Sequence, residues 1–144
     1  MVLLQTCSFK MTVHPPTIIA SVNMHKRNAV THALLNSDTH TNVYLIQEPW
    51  FYTIGMAGLD TAQQGIDVLR GVASPGWEIL YPVILKGCRP KVMAYARRRA
   101  IDPKAEAPFT VIPHNNISDH PCIQVLDIVF DTTSWQIINF YHDV

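Results

Sequence analysis

Apolar residues along the chain fall into short runs separated by prolines, glycines and polar clusters, and most of these runs predict β-strands. The predicted strands span residues 17–23, 43–46, 77–81, 91–96, 109–112, 123–130 and 135–140. A helical stripe of apolar residues predicts one helix, with Asn28 as its N-cap and Leu35 near its end. The pattern therefore predicts an α+β fold, mainly one mixed β-sheet with one helix.

The most apolar of these strands is Val43–Ile46, in which both alternating faces are apolar. Such a strand is typical of the centre of a sheet that is covered on both sides. Pro49 cannot donate to a β-ladder, so pairing is expected to end there and Glu48 to project from the strand's end. A carboxylate in that position is a hard oxygen ligand suited to Mg²⁺. The alternative is that Glu48 is a solvent-exposed residue at a strand end.

The first residues of the chain and one internal stretch lack a clear pattern of apolar positions. Residues 1–16 predict an unstructured tail, and residues 17–144 predict a single domain. Residues 51–76 are rich in glycine and small polar residues, which predicts a long loop with one helical turn near 67–70. The chain stops directly after the predicted strand 135–140, which favours a truncated domain whose last strand lacks a partner on one side.

Charge and cysteine usage narrow the picture a little. The 144 residues carry eleven basic and eleven acidic side chains, so net charge does not indicate a nucleic-acid-binding protein. Arg97, Arg98 and Arg99 nevertheless form a run suited to phosphate contacts, the alternative being a solvated hairpin tip. The three cysteines are far apart, which argues against a disulfide framework or a zinc site and favours a reducing, intracellular compartment, with the nucleus as one candidate. No apolar run approaches the roughly 20 residues of a membrane helix, so no membrane partner is expected.

Polar side chains follow three of the predicted strands. Asn23 ends the first, Glu48 follows the central strand, and Asn139 and Tyr141 lie at the end of the last. If these strands are neighbours, an amide, a carboxylate and a phenol meet at one edge, where they can hold a divalent ion and orient a phosphate. The alternatives are that Asn23 caps the following turn and that Tyr141 is buried with its hydroxyl bonded to backbone.

Four segments occur in an order that matches a known superfamily. They are Ser21-Val22-Asn23-Met24-His25, Gln47-Glu48-Pro49-Trp50, Arg89-Pro90-Lys91-Val92-Met93-Ala94-Tyr95 and Ile137-Ile138-Asn139-Phe140-Tyr141. With them, residues 17–144 resemble the N-terminal part of an endonuclease/exonuclease/phosphatase domain, the deoxyribonuclease I-like superfamily, and in particular the endonuclease domain of fungal non-LTR retrotransposons. The Gln47–Trp50 segment is the most specific piece. The resemblance implies an incomplete four-layer α/β sandwich, about half of the full domain.

The resemblance also implies roles for the polar side chains. Glu48 and Asn23 are expected to hold Mg²⁺, weakly in this chain alone, and Tyr141 is expected to face the scissile phosphate. Asn23, Glu48, Asn139 and Tyr141 would form the catalytic group, with Arg97, Arg98 and Arg99 on nucleic acid. The expected partners are DNA, if the domain is complete, and a missing C-terminal half of the domain.

Two segments that complete the superfamily's site do not occur where they are needed. No G-D-x-N segment is present, and Ser118-Asp119-His120 spells S-D-H but precedes the N-x-Y segment instead of following it, so it is expected to form a turn. Losing members of a catalytic group costs several orders of magnitude in rate. The expected function is therefore a partial Mg²⁺-dependent DNA endonuclease domain of a retroelement, inactive alone. A non-catalytic remnant or interaction domain and a small-molecule phosphatase of the same fold remain alternatives.

Overall fold

The computed structural model describes residues 4–9, 17–56, 67–85, 87–98, 109–129 and 133–142. In chain order the elements are β1 (Leu4–Phe9), β2 (Thr17–Asn23), α1 (Asn28–Ser37), β3 (Val43–Gln47), β4 (Tyr52–Met56), β5 (Asp67–Arg70), β6 (Trp77–Leu80), β7 (Val92–Arg97), β8 (Thr110–Pro113), β9 (Ile123–Val129) and β10 (Ser134–Phe140). The prediction of an α+β fold that is mostly sheet with one helix is confirmed for these residues, but the strands form three sheets instead of mainly one. No helix among them is long and apolar enough to cross a membrane.

The largest sheet has five strands in the order β1-β2-β3-β7-β6, so β3 is its central strand, as predicted. Strands β2 and β3 are parallel and are joined through α1, whereas the other neighbours pair antiparallel. Residues Val43 to Ile46 of β3 are all buried. The sheet is therefore covered on both faces at its centre, which explains why this strand is apolar on both sides.

Two hydrophobic cores lie on opposite faces of this sheet. One packs α1 and the β4–β5 pair against β2, β3 and β7, with Leu35, Tyr44, Leu69 and Tyr95 among its members. The other packs the three-stranded sheet β10-β9-β8 against the same strands through residues such as Leu126 and Ile128. The described part of the fold thus has three layers, with the five-stranded sheet in the middle.

The expectation of an unstructured tail over residues 1–16 is wrong for Leu4–Phe9. These residues form β1, which pairs antiparallel with β2 in unbroken register, from Leu4 opposite Val22 to Phe9 opposite Thr17. An edge strand is held by backbone hydrogen bonds to its neighbour and needs little apolar surface of its own. Its hydrophobic pattern is correspondingly weak, which is why the sequence did not indicate it.

Two local expectations also differ from the structure. Arg27, not Asn28, occupies the N-cap position of α1 without a side-chain capping bond, and the helix continues to Ser37. The helical turn expected near 67–70 is instead strand β5, which pairs antiparallel with β4 and buries Leu69. The β4–β5 ladder shifts register between Thr53 and Met56, and this irregularity removes the alternation by which a strand is recognised.

The last strand, β10, lies at the edge of the three-stranded sheet, with β9 as its one neighbour among the described residues. Its side chains Ile138 and Phe140 are 58% and 64% exposed. The expectation of a truncated domain stays a prediction, and the described residues place β10 at a sheet edge rather than at a sheet centre.

Candidate functional site

Glu48 follows the central strand at the point where the chain leaves the β-ladder. Its φ is 47°, in the left-handed region that a residue with a side chain adopts rarely. Two backbone hydrogen bonds of 2.9 Å hold it there: its N–H donates to the Lys91 carbonyl, and its own carbonyl accepts from the Lys26 N–H. The carboxylate is thereby fixed at the edge of the sheet where β2 and β3 end and β7 begins, which we call the Glu48 rim. It does not continue the side-chain alternation of β3.

Both oxygens of the Glu48 carboxylate contact neighbouring side chains. The Tyr141 hydroxyl donates to Oε1 at 3.1 Å, and His25 Nδ1 lies 3.1 Å from Oε2. Glu48 is 17% exposed and His25 42%. The structure therefore brings Glu48 and Tyr141 together, as expected, and adds His25, which the sequence analysis did not single out as a site residue.

Asn23 lies at the same rim, because it is opposite Gln47 in the parallel β2–β3 ladder. Its Oδ1 accepts the backbone N–H of His25 at 2.9 Å, so its side chain caps the turn that carries His25. His25 and Lys26 in that turn have left-handed φ values of 48° and 57°. The turn-capping alternative for Asn23 therefore describes its side chain, and no contact joins Asn23 to Glu48 among the described hydrogen bonds.

Asn139 lies beneath the rim instead of in it. It is 1% exposed. Its Oδ1 accepts from Gln47 Nε2 at 2.8 Å, and its Nδ2 donates to the carbonyls of Met93 and Ile46 at 3.0 and 3.4 Å. Asn139 thus bonds β10 to the middle of the five-stranded sheet, and these contacts describe a positioning residue rather than one that meets substrate.

Arg97 and Arg98 do not lie at this rim. The Arg97 N–H bonds to the Asn42 carbonyl, at the opposite end of β3 from Glu48, because β7 runs antiparallel to β3. The Arg97 guanidinium donates to the carbonyls of Thr41 and Asp38 at 2.9 Å and lies 4.3 Å from the centre of the Trp77 ring. Arg97 therefore does not lie beside Glu48, and its expected contact with phosphate stays a prediction.

Arg98 is the next residue after Arg97, and its Nε donates to the Trp77 carbonyl at 3.1 Å. It follows β7 and so does not lie at the Glu48 rim, and its expected contact with nucleic acid stays a prediction. Arg99 lies outside the described residues.

That opposite end of the sheet is held together by a polar network around Asp38. Its carboxylate accepts from the Tyr44 hydroxyl and from the backbone N–H groups of His40 and Thr41. Burial raises the pKa of Asp38, but these hydrogen bonds outweigh it and hold the pKa well below its usual range. Burial and the neighbouring Asp38 raise the pKa of Tyr44 to about 12. These groups stabilise the fold and are not near the Glu48 rim.

A different set of cations lies beside Glu48. Lys26, Arg89 and Lys91 line, with Glu48, a cleft of about 400 Å³. The Lys91 ammonium also lies 5.9 Å from the centre of the Tyr141 ring. The sequence analysis did not identify these cations. Lys26 follows β2 and Lys91 precedes the antiparallel β7, so strand direction is the signal that could have placed these two lysines beside Glu48.

The Ser118-Asp119-His120 segment lies in the loop that leads into β9, as expected, and the His120 carbonyl accepts from the Ile123 N–H at 3.0 Å across the next turn. The His120 N–H donates to Ser118 Oγ and the Cys122 N–H donates to His120 Nδ1, both at 3.2 Å. The chain after this turn supports the rim through backbone bonds: the Pro121 carbonyl accepts from Lys91 at 2.6 Å, and the Cys122 carbonyl accepts from Tyr141 at 2.9 Å.

Glu48 fits Mg²⁺ as a single carboxylate ligand. Among the described residues no three His, Cys, Asp or Glu side chains cluster closely enough to form a metal cage. Mg²⁺ keeps several waters and is commonly held by one or two carboxylates together with substrate phosphates, so a full cage is not required. One carboxylate beside three cations therefore suits a metal that arrives with, or is completed by, a phosphate group.

Comparisons of the chain with known protein families, with curated proteins and with solved structures find no match.

Proposed function

We propose that the Glu48 rim is the metal- and phosphate-binding part of a Mg²⁺-dependent DNA endonuclease domain of the deoxyribonuclease I-like type, from a retroelement. The observation that supports it most is the hydrogen bond from the Tyr141 hydroxyl to the Glu48 carboxylate, in a cleft with three cationic side chains. The middle sheet, packed on one face by a second sheet and on the other by a helix, is also compatible with about half of a four-layer sandwich.

The side chains of the rim have separate tasks in this proposal. Lys26, Arg89 and Lys91 attract and orient the phosphodiester, because clustered cations beside a low-dielectric wall favour anion binding. Tyr141 and His25 hold the Glu48 carboxylate in one orientation through bonds to its two oxygens. Glu48 would hold Mg²⁺, which would supply Lewis-acid stabilisation of charge on a phosphoryl oxygen.

This chain alone is proposed to bind phosphodiesters without cleaving them at an appreciable rate. The sequence lacks the G-D-x-N segment that activates water in the superfamily it resembles, and its S-D-H triplet lies in the loop that leads into β9. Removing members of a catalytic group typically lowers kcat by several orders of magnitude, so binding is expected to survive where turnover does not.

The test compares DNA binding and plasmid nicking by the wild-type chain and Glu48→Gln, each with Mg²⁺ and with EDTA. Fluorescence anisotropy is expected to show that Mg²⁺ strengthens binding of a labelled oligonucleotide by the wild type and does not change its binding by Glu48→Gln. The matched control is Glu78→Gln, which removes an exposed carboxylate from β6. Equal Mg²⁺ responses in the wild type and Glu48→Gln would refute the assignment, and robust Mg²⁺-dependent nicking would refute the claim of inactivity.

An interaction domain is the second candidate, and the exposed Ile138 and Phe140 on β10 favour it. Such a module has no reason to bind DNA in a Mg²⁺-dependent manner. The same anisotropy experiment therefore separates the two candidates.

A further inference from the structure

Two aromatic side chains stand directly beside the Glu48 rim. The ring centres of Trp50 and Tyr52 lie 5.4 Å apart, with their planes tilted by 37°. Trp50 is partly buried, packs against the core and lines the cleft with Glu48, whereas Tyr52 is 40% exposed. The pair thus joins the cleft wall to the solvent-exposed surface.

The aromatic pair is held in place by its surroundings. Pro49 restricts the backbone between Glu48 and Trp50. Tyr52 begins strand β4 and is paired with Arg70 in β5. A rigid aromatic surface loses little conformational entropy when a flat ligand stacks on it, so this one is suited to binding.

A cation lies on the cleft wall that Trp50 also lines. Arg89 lines this cleft, and its Nη2 donates to Thr53 Oγ1 at 3.1 Å, which anchors the guanidinium to β4. Aromatic side chains interleaved with cations are the combination by which proteins bind single-stranded nucleic acid, the rings stacking on bases and the cations following the backbone. The cleft of about 400 Å³ is within the size range of small-ligand sites.

We propose that the cleft binds one unpaired nucleotide, with its base stacked on Trp50 and Tyr52 and its phosphate beside Lys26, Lys91 and Glu48. The inference rests on the proposed function and adds to it the form of the substrate. A base inside a duplex does not offer its face to a side chain, so the site requires single-stranded DNA or a nucleotide extruded from the stack.

The test measures binding of a short oligothymidylate and of an abasic strand with the same length and backbone, in the presence of Mg²⁺. The variants are Trp50→Leu and Tyr52→Leu, with Trp135→Leu on β10 as the control for loss of an exposed aromatic ring. Trp50→Leu is expected to weaken oligothymidylate binding about 5- to 150-fold and to leave the abasic strand unchanged. Circular dichroism checks that each variant is folded, and the more exposed Tyr52 supplies a second variant if Trp50→Leu does not fold.

The outcomes distinguish this inference from the proposed function. If the wild type binds both strands equally, or if Trp50→Leu and Tyr52→Leu weaken both strands to the same extent, the stacking site is refuted. A Mg²⁺ response that is lost in Glu48→Gln would leave the proposed function standing in that case. If neither strand binds under any condition, both proposals fail. Binding of a matched duplex as tightly as oligothymidylate would also refute the requirement for an unpaired base.

Discussion

Replacing Asn139 tests whether this residue holds the rim together or acts on substrate. The asparagine is buried and bonds β10 to three groups of the middle sheet, namely the Gln47 side chain and the Met93 and Ile46 carbonyls. A residue that acted only on substrate would be removable without loss of stability. One that connects two sheets would not.

The cost of Asn139→Ala follows from these contacts. Each net hydrogen bond contributes about 0.5–1.5 kcal/mol, and the 3.4 Å contact to the Ile46 carbonyl is the weakest of the three. Gln47 Nε2 keeps one further acceptor, the Leu45 carbonyl at 3.3 Å, which limits the penalty for its lost partner. The free energy of unfolding is therefore expected to fall by about 2–4 kcal/mol, a large part of the roughly 5–15 kcal/mol of a typical domain.

Asn139→Asp should be more destabilising at pH 7 than Asn139→Ala. A carboxylate oxygen would replace the amide N–H donor and would face the Met93 and Ile46 carbonyls, which are acceptors themselves. The negative charge would also be buried. Burial raises its pKa in the folded state above the unfolded value, so this variant should regain stability as pH falls from 7 to 5.

Urea unfolding followed by circular dichroism measures both effects. The Asn139→Ala midpoint is expected to fall by roughly 1–3 M urea. Asn36→Ala and Asn36→Asp, at an exposed position on α1, are the matched controls and should stay within about 0.5 kcal/mol of the wild type. If Asn139→Ala costs less than about 0.5 kcal/mol yet abolishes DNA binding, the structural interpretation is refuted and the catalytic one is favoured.

The polar network at the opposite end of the sheet gives two further predictions. Burial raises the pKa of Asp38, but its hydrogen bonds, including that from Tyr44, lower it by more, so the pKa is lower in the folded than in the unfolded state. The wild type should therefore lose stability as pH falls below about 4. Asp38→Asn should lack this acid-dependent loss in urea midpoints measured across that pH range, and parallel pH profiles would contradict the assignment. Arg97→Lys should lose about 1–2 kcal/mol of stability, because lysine cannot reproduce two carbonyl contacts and the stacking on Trp77, whereas Arg98→Lys should change it by less than about 0.5 kcal/mol. Neither should alter DNA affinity by anisotropy, and a selective loss of affinity in Arg97→Lys would show that the arginine run does contact nucleic acid.

The hydrophobic pattern predicted seven of the ten described strands and missed β1, β4 and β5. Val43–Ile46 was identified because burial on both faces requires apolar side chains at every position. Strand β1 is an edge strand, and β4 and β5 form a separate two-stranded sheet with a shifted register. For such strands the backbone pairing partner decides the conformation, and a single sequence does not contain that information in its local pattern.

The sequence predicts the position of a site residue when that position depends on one strand end. It does not predict the position when it also depends on the sheet that packs against the strand. Asn139 belongs to β10 and Tyr141 directly follows that strand, two residues farther along the chain, and only Tyr141 reaches the Glu48 carboxylate. The reason is that Asn139 still lies over the middle sheet, while Tyr141 lies past the end of the β9–β10 ladder. Side-chain alternation fixes the face, but the length of the opposing sheet determines which residue is buried.

Strand direction also determines which cations meet the carboxylate. The parallel strands β2 and β3 bring the residues that follow them to the rim, which places Lys26 beside Glu48. Strand β7 is antiparallel, so Lys91, which precedes it, joins them, whereas Arg97 and Arg98 lie at the opposite end of the sheet. The densest cluster of positive charge in the sequence is therefore not the one at the cleft. A chain with no net charge can still concentrate three cations around one carboxylate, because the local field depends on where the topology places charges and not on their sum.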